Sequence, residues 1–397
     1  MKRGALLPLF AAIAIAGGAQ GEISQGADNP SADAWRWTLP EFMPPPRVPA
    51  DNAMSEARFQ LGRKLFYDVR LSGNGKESCA SCHEQRLAFT DGRPVGVGAT
   101  GQHTPRNSPS VANAAWRATL TWANPAMVTL EKQMEGPLFG EEPIEMGVND
   151  KNRKEILARF AGDADYRRDF TAAFPGEADP ISFGNIIKAI SAFERGIVSA
   201  SSKYDLYLLG KATLTPEETR GKDLFFGEKA ECHHCHGSVN FDDQFYHAKT
   251  REIETPFHNT GLYNLDGKGA YPEPNRGVFE NSHNPAEMGA FRAPSLRNIA
   301  VTAPYMHDGS VATLEEVIDI YAAGGRNVAS GPLKGDGRYN PNKSALIVPI
   351  DLSPQEKSDL IAFLKTLTDD SLLTSPRFAD PWKPASTASG STRAPTQ

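Results

Sequence analysis

All four cysteines of this 397-residue chain fall in two copies of one pattern, Cys79-Ala-Ser-Cys82-His83 and Cys232-His-His-Cys235-His236. That spacing is the signature for covalent attachment of a c-type haem. Two nearby thiols add across the vinyl groups of a haem, while the adjacent histidine reaches the iron as its proximal ligand. Two covalently bound haem c groups are therefore expected, one on Cys79, Cys82 and His83, the other on Cys232, Cys235 and His236. A redox dithiol, or a single zinc held by four thiolates, would use the same cysteines. Neither explains why a histidine follows each pair.

The N-terminus supplies the compartment that haem attachment needs. Lys2 and Arg3 precede an apolar run from Ala5 to Ala16, followed by the small residues Gly17, Gly18, Ala19 and Gly21. This is the layout of a cleaved signal peptide, assigned to residues 1–21. The run is too short for a membrane span, and no later stretch reaches about 18 apolar residues. Export with covalent haem points to a bacterial periplasm. The net charge of −6, with both signs interspersed, argues against a nucleic-acid partner.

The rest of the chain reads as an internal duplication. Ser55-Glu-Ala-Arg-Phe-Gln-Leu-Gly-Arg-Lys-Leu-Phe66 precedes the first motif, and Pro216-Glu-Glu-Thr-Arg-Gly-Lys-Asp-Leu-Phe225 precedes the second. Each is a helix with an N-terminal cap, Ser55 or Thr215, and a glycine beside a basic residue ahead of a Leu-Phe pair. Ile186, Ile187, Ile190, Phe193 and Ile197 share one face of a helix ending near Ser199. Ser353-Pro-Gln-Glu caps another, with Leu360, Phe363, Leu364 and Leu367 as its apolar stripe. Strand signals are sparse. The expected fold is mainly α, two cytochrome c-like haem domains in tandem with long loops and few strands. The boundaries are an extended N-terminal arm at 22–50, a first haem domain at 51–213, a second at 214–376 and a flexible tail at 377–397.

Between the haem motifs lies Trp122-Ala-Asn-Pro, then Leu130-Glu-Lys-Gln133-Met-Glu-Gly-Pro137-Leu-Phe-Gly-Glu-Glu-Pro-Ile-Glu145-Met-Gly. With both haem motifs and the later block Phe291-Arg-Ala-Pro-Ser-Leu-Arg-Asn298, Thr302-Ala-Pro304-Tyr-Met-His307, the chain resembles the bacterial diheme cytochrome c peroxidase and MauG family from about Leu61 to Leu367. The resemblance implies that the first haem is peroxidatic, with Gln133, Pro137 and Glu145 on its distal face and Glu145 as acid/base. Two extra residues between Pro137 and Glu145, relative to the usual peroxidase spacing, leave Glu141 and Glu142 as substitutes. Trp122 matches the tryptophan between the haems, with Trp116 available nearby as an ordinary core aromatic. Asn107, Thr302 and Pro304 match the ligands of a calcium ion, and carbonyl oxygens suit such a hard cation. His307 matches support for a haem propionate or a loop.

Two positions separate the branches of that family. Tyr321 stands where the peroxidases carry a methionine that ligates the second iron and where MauG-like enzymes carry a tyrosine; Tyr305, Met306 and Met288 are rivals. An anionic oxygen ligand stabilises the higher oxidation states of iron. The histidine that caps the peroxidatic haem in many peroxidases falls at Ala99, with His103 four residues on. Both features imply MauG-like chemistry, in which hydrogen peroxide drives the diheme centre to a bis-Fe(IV) level that oxidises an aromatic residue of a partner protein. The alternatives are a peroxide-detoxifying cytochrome c peroxidase and, less readily, a plain electron-transfer diheme cytochrome. The stretches Trp37-Thr-Leu-Pro, Phe66-Tyr-Asp-Val-Arg-Leu-Ser-Gly-Asn-Gly, Leu120-Thr-Trp-Ala-Asn-Pro and Pro137-Leu-Phe-Gly-Glu-Glu-Pro are similar to the methanobactin-associated branch of the family, MbnH. That branch implies conversion of tryptophan to kynurenine in a small secreted copper-binding partner.

Overall fold

The chain is described by a computed structural model over residues 35–383; the signal-peptide assignment at 1–21 lies outside those residues. From Trp35 onward the chain packs as one unit around two helical cores. The first core is built on α1 (Glu56–Tyr67), α2 (Leu130–Phe139), α3 (Arg153–Ala161), α4 (Ala164–Ala173) and α5 (Phe183–Arg195). The chain continues through α6 (Lys203–Leu208), α7 (Pro216–Phe226), α8 (His233–His236), α9 (Phe279–Ser282), α10 (Leu314–Ala322), α11 (Pro354–Lys365) and α12 (Asp370–Thr374). Among the described residues the only sheet is a two-stranded antiparallel pair, β1 (Asn327–Val328) with β2 (Gly335–Asp336). The mainly helical expectation holds.

The duplication reappears as two crossed helix pairs. In α1, a Cβ on Gly62 would stand 1.9 Å from the Ala189 carbonyl oxygen of α5. In α7, a Cβ on Gly221 would stand 1.9 Å from the Asp359 carbonyl oxygen of α11. The glycine of each pre-motif helix therefore lets two backbones touch. Arg220, beside Gly221, adds a two-pronged bond to the Asp359 carboxylate at 2.7 and 3.0 Å. The caps form as read: Ser55 Oγ accepts from Arg58 N at 3.1 Å, and Thr215 and Ser353 make reciprocal boxes with Glu218 and Glu356.

In α5 the side chains of Ile186, Ile190 and Phe193, and Ile197 just beyond, are fully buried. Each contributes roughly 1.5–3 kcal/mol of burial. The helix ends at Arg195, four residues before Ser199, and Gly196 at its cap lies against the Phe59 ring, where a Cβ would stand 2.5 Å from a ring carbon. Beyond it the backbone is caught by side chains instead, with Ser199 N donating to Asn113 Oδ1 and the amides of Ala200 and Ser201 to Asp369 Oδ2.

The domain boundaries differ from the sequence expectation at both ends. Tyr204 of α6 belongs to the second core, and Asp205 is fully buried against Arg297, so that core begins before residue 214. Leu372 of α12 belongs to the first core, whose Gln85 side chain donates to the carbonyls of Leu372 and Ser375. Nor is the chain free from residue 377: Phe378 is buried in the first core, and Arg377 pairs with Glu56 at 2.8 Å while lying over the Phe59 ring. Apolar spacing reveals a helix but not which of two cores a short connecting helix will join.

Candidate functional site

The two cysteine pairs line separate cavities, of about 240 Å³ for Cys79 and Cys82 and about 230 Å³ for Cys232 and Cys235. That separation excludes a single four-thiolate zinc centre. Burial pushes the Cys82 thiol up to about 11 and Cys232 to about 12, with Cys79 also raised. Reactive redox dithiols need the opposite shift.

Both motif histidines are held alike. His83 Nδ1 lies 2.8 Å from the Phe89 carbonyl oxygen and His236 Nδ1 lies 3.0 Å from that of Phe241. A carbonyl only accepts, so Nδ1 carries the proton and Nε2 keeps its lone pair for a metal. Phe89 and Phe241 reach these positions with φ of 63° and 55°, a left-handed conformation that phenylalanine seldom adopts. Burial lowers the pKa of both imidazoles, which favours the neutral, ligating form.

The walls carry charges that await an anion. Arg117 is buried, lines both cavities and donates to the carbonyls of Ser110 and Ala112, with its Nε left unpartnered. Arg292 is buried on the second cavity and donates to the carbonyls of Thr121 and Ala293. Among the described residues neither arginine pairs with a carboxylate. Asp242, and for Arg292 also Asp243, act on them only without a bond, so the two buried cations remain costly, and the propionates of two haems have the charge to compensate them. His307, stacked 3.6 Å from the Phe291 ring, likewise leaves Nε2 buried without a partner beside the second cavity. The residues present therefore fit two haem groups.

Gln133, Pro137 and Glu145 come together on the first cavity. Gln133 and Pro137 lie one turn apart on α2, which Thr129 caps through a bond from Lys132 N. Pro137 has no N–H for the Gln133 carbonyl, and α2 ends two residues later. Glu145 is placed by its neighbours' backbone: Ala99 N donates to Glu145 O at 2.7 Å, Met146 N to Pro137 O at 2.9 Å and Gly73 N to Met146 O at 2.7 Å. Burial raises the pKa of its carboxyl. Glu141 and Glu142 are exposed and do not line the cavity, so the two extra residues bulge outward. His103 is also exposed and away from the cavity wall.

Trp122 lines both cavities, as do Asn107, Pro109, Ser110 and Arg117. Tyr321 lines the second, where burial and then the thiols of Cys235 and Cys232 raise the pKa of its phenol. Tyr305 and Met306 line it too, but the Tyr305 hydroxyl is committed to the Ile299 carbonyl at 3.1 Å, and Met288 does not reach the wall. Asn107, Thr302 and Pro304 share the second cavity, with Asn107 Nδ2 turned to the carbonyls of Arg93 and Pro94. The two phenylalanine carbonyls and the burial of Arg117 and Arg292 leave no mark in the sequence, since nothing in a primary structure distinguishes a carbonyl acceptor or a buried arginine.

Two cytochrome-like cores, each with an attachment motif and a preset histidine, define a diheme c-type protein. The chain belongs to the bacterial diheme cytochrome c peroxidase and MauG family. Residues 56–213 match the family described as di-haem cytochrome c peroxidase, and residues 290–322 match one described as RoxA-like, cytochrome c-like. A cytochrome-c peroxidase of Denitromonas iodatirespirans is 33% identical over 364 residues, covering 87% of this chain and 91% of that protein. The methylamine utilization protein MauG of Methylorubrum extorquens is 32% identical over 378 residues, covering 91% and 96%. A solved MauG-like protein associated with microbial copper homeostasis is 69% identical, with a TM-score of 0.88, covering 88% of this chain and all of that one. The chain is thus an oxidoreductase of the diheme peroxidase type.

Proposed function

We propose that this protein is a periplasmic MauG-like enzyme that uses hydrogen peroxide to oxidise an aromatic residue, a tryptophan taken to kynurenine, of a small copper-binding partner protein. The observation that carries this reading is that Trp122 borders both cavities, while the polar set Gln133, Pro137 and Glu145 borders only the first. When bound, the two haems supply the iron centres at which peroxide is reduced and two oxidising equivalents are held. Glu145 takes a proton from the near oxygen of peroxide and returns it to the departing oxygen, while the Gln133 amide orients the molecule. Pro137 keeps that wall of the cavity apolar. Trp122 shortens the path for charge between the two sites.

The second site favours the MauG-like branch over a detoxifying peroxidase. Tyr321 on the second cavity is the residue that would hold the second iron, and bound ferric iron would supply the strong positive charge that a phenol raised by burial needs to ionise. Asn107, Thr302 and Pro304, together on the second cavity, are the ligands proposed for calcium between the haems. A copper-binding partner is supported by the copper-homeostasis association of the solved MauG-like protein. Among the described residues no helix is long and apolar enough to cross a membrane, in keeping with an exported protein.

Adding stoichiometric peroxide to the diferric holoprotein tests the proposal. A long-lived near-infrared charge-resonance band, followed by oxidation of an aromatic residue in a secreted copper-binding partner, is the expected result. Rapid peroxide turnover that needs a reduced cytochrome would instead establish the detoxifying peroxidase, and two six-coordinate irons inert to peroxide an electron-transfer protein.

A further inference from the structure

Besides Glu145 and the half-buried Glu77, a third carboxylic acid faces the first cavity, and the peroxide chemistry leaves it without a task. Glu194 lies in the last turn of α5, is 4% exposed and lines that cavity with Cys79, Met134 and Pro137. Its Oε2 is buried with no hydrogen-bond partner. The adjacent cation is engaged elsewhere: Arg195 Nη2 donates at 2.7 Å to Glu131 Oε1 on α2, which also accepts from Asn52 Nδ2. After burial itself, the Glu194 charge is the largest influence on the Cys79 thiol, which puts the carboxyl at the edge where the haem is attached.

An unpartnered carboxylate is expensive to bury, and a neutral acid far less so. Burial, opposed by Arg195 and reinforced by Glu131, holds this carboxyl up to about 8. The charged groups around it are Arg195 on its own helix, Glu131 on α2, Glu77, Arg106, Arg117 and Glu145 on the cavity wall, and the Cys79 sulphur, which carries no charge once it is a thioether. Besides Glu145, whose proton is only borrowed and returned, the electron count of the haem is then the nearby charge that changes during the reaction.

We propose that Glu194 is a redox-linked proton site for the first haem, neutral while that haem is ferrous and ionised once it is ferric. On oxidation the carboxyl O–H bond breaks, the electron pair stays on the oxygen and the proton leaves to solvent. Hydrogen peroxide is the acceptor: it takes this electron, a second one from the other haem and two protons to become two waters. Returning the electron restores the O–H bond. Oxidation of the first haem is thereby made easier as pH rises.

Spectroelectrochemical titration of the holoprotein from pH 6 to 9 tests this. In the wild type the reduction equilibrium of the first haem should shift towards tenfold per pH unit, or 59 mV, above neutrality. Glu194→Gln should flatten that slope and leave the second haem unchanged, whereas Glu145→Gln should retain it. A wild-type potential that ignores pH, or an undiminished slope in Glu194→Gln, overturns the proposal. If Glu194→Gln fails to take up haem, the oxidised-minus-reduced infrared difference spectrum of the wild type decides. Loss of a protonated-carboxyl C=O stretch on oxidation, persisting in Glu145→Gln, supports Glu194, and its absence overturns it.

Discussion

The Trp122 indole nitrogen donates a 2.8 Å hydrogen bond to the backbone carbonyl of Asn107, and both residues border both cavities. The Trp122 carbonyl in turn accepts from Arg292 N at 2.8 Å. The ring is thus held from two directions between the haem sites, and Asn107 is tied to the same wall by His307, whose carbonyl accepts from its amide. A relay residue benefits from such fixation, because transfer rates fall steeply with distance.

Trp122→Phe removes the indole and leaves the Asn107 carbonyl short of a donor, at a cost of about 1–3 kcal/mol. Both haems should still be attached, and peroxide should still react at the first site. The near-infrared band shared by two haems should be lost, with charge transfer to the second site slowed at least tenfold. Stopped-flow spectra in which band and rate match the wild type would remove Trp122 from the path.

Glu145 has a raised pKa, so it becomes a carboxylate only at higher pH than an ordinary glutamate. The rate with peroxide should therefore be intact above that raised value and decline as pH falls through it, with the midpoint above the usual 4.5. Glu145→Gln should lower kcat/KM by roughly 10²–10⁴-fold and abolish the acid limb. A limb unchanged in the variant would assign the base elsewhere.

Gly62→Ala and Gly221→Ala each place a methyl against a backbone oxygen that cannot move without its helix. Each should cost about 3 kcal/mol, the upper end for overpacking. Gly136→Ala is the contrast, since nothing lies within 4 Å of its Cβ position and α2 should gain up to about 1 kcal/mol of helix propensity. Denaturant midpoints of the three variants compare them, and equal midpoints would show that the helix crossings are loose.

Arg297 and Asp205 form a pair with side chains 2% and 0% exposed, bonded at 2.8 and 3.0 Å. Asp205→Ala strands a buried guanidinium and should destabilise by about 3–5 kcal/mol. Replacing both partners, as in Asp205→Leu with Arg297→Met, should recover much of that loss. Thermal unfolding of the single and double variants gives the comparison, and additive losses would mean the pair acts independently.

Much of the architecture was legible because its causes are local. A cap and a glycine beside a basic residue announce α1 and α7, and a cap with a 3.6-residue apolar period announces α11, in the primary structure. The end of α5 was not legible, since the backbone beyond it is held by the distant side chains of Asn113 and Asp369. The allegiance of α6 to the second core and of α12 to the first also depends on partners far along the chain, Arg297 and Gln85.

The sequence by itself determined that two haem c groups are expected, and at which cysteines and histidines, because covalent attachment needs thiols and imidazole at one short spacing. Only the tertiary structure decided what surrounds each of them. Phe89 and Phe241 orient the two histidines, Arg117 and Trp122 join the two cavities, and Glu145 rather than Glu141 or Glu142 faces the first. Those relations unite residues from distant segments by burial and by backbone carbonyls, whose positions exist only once the chain has folded.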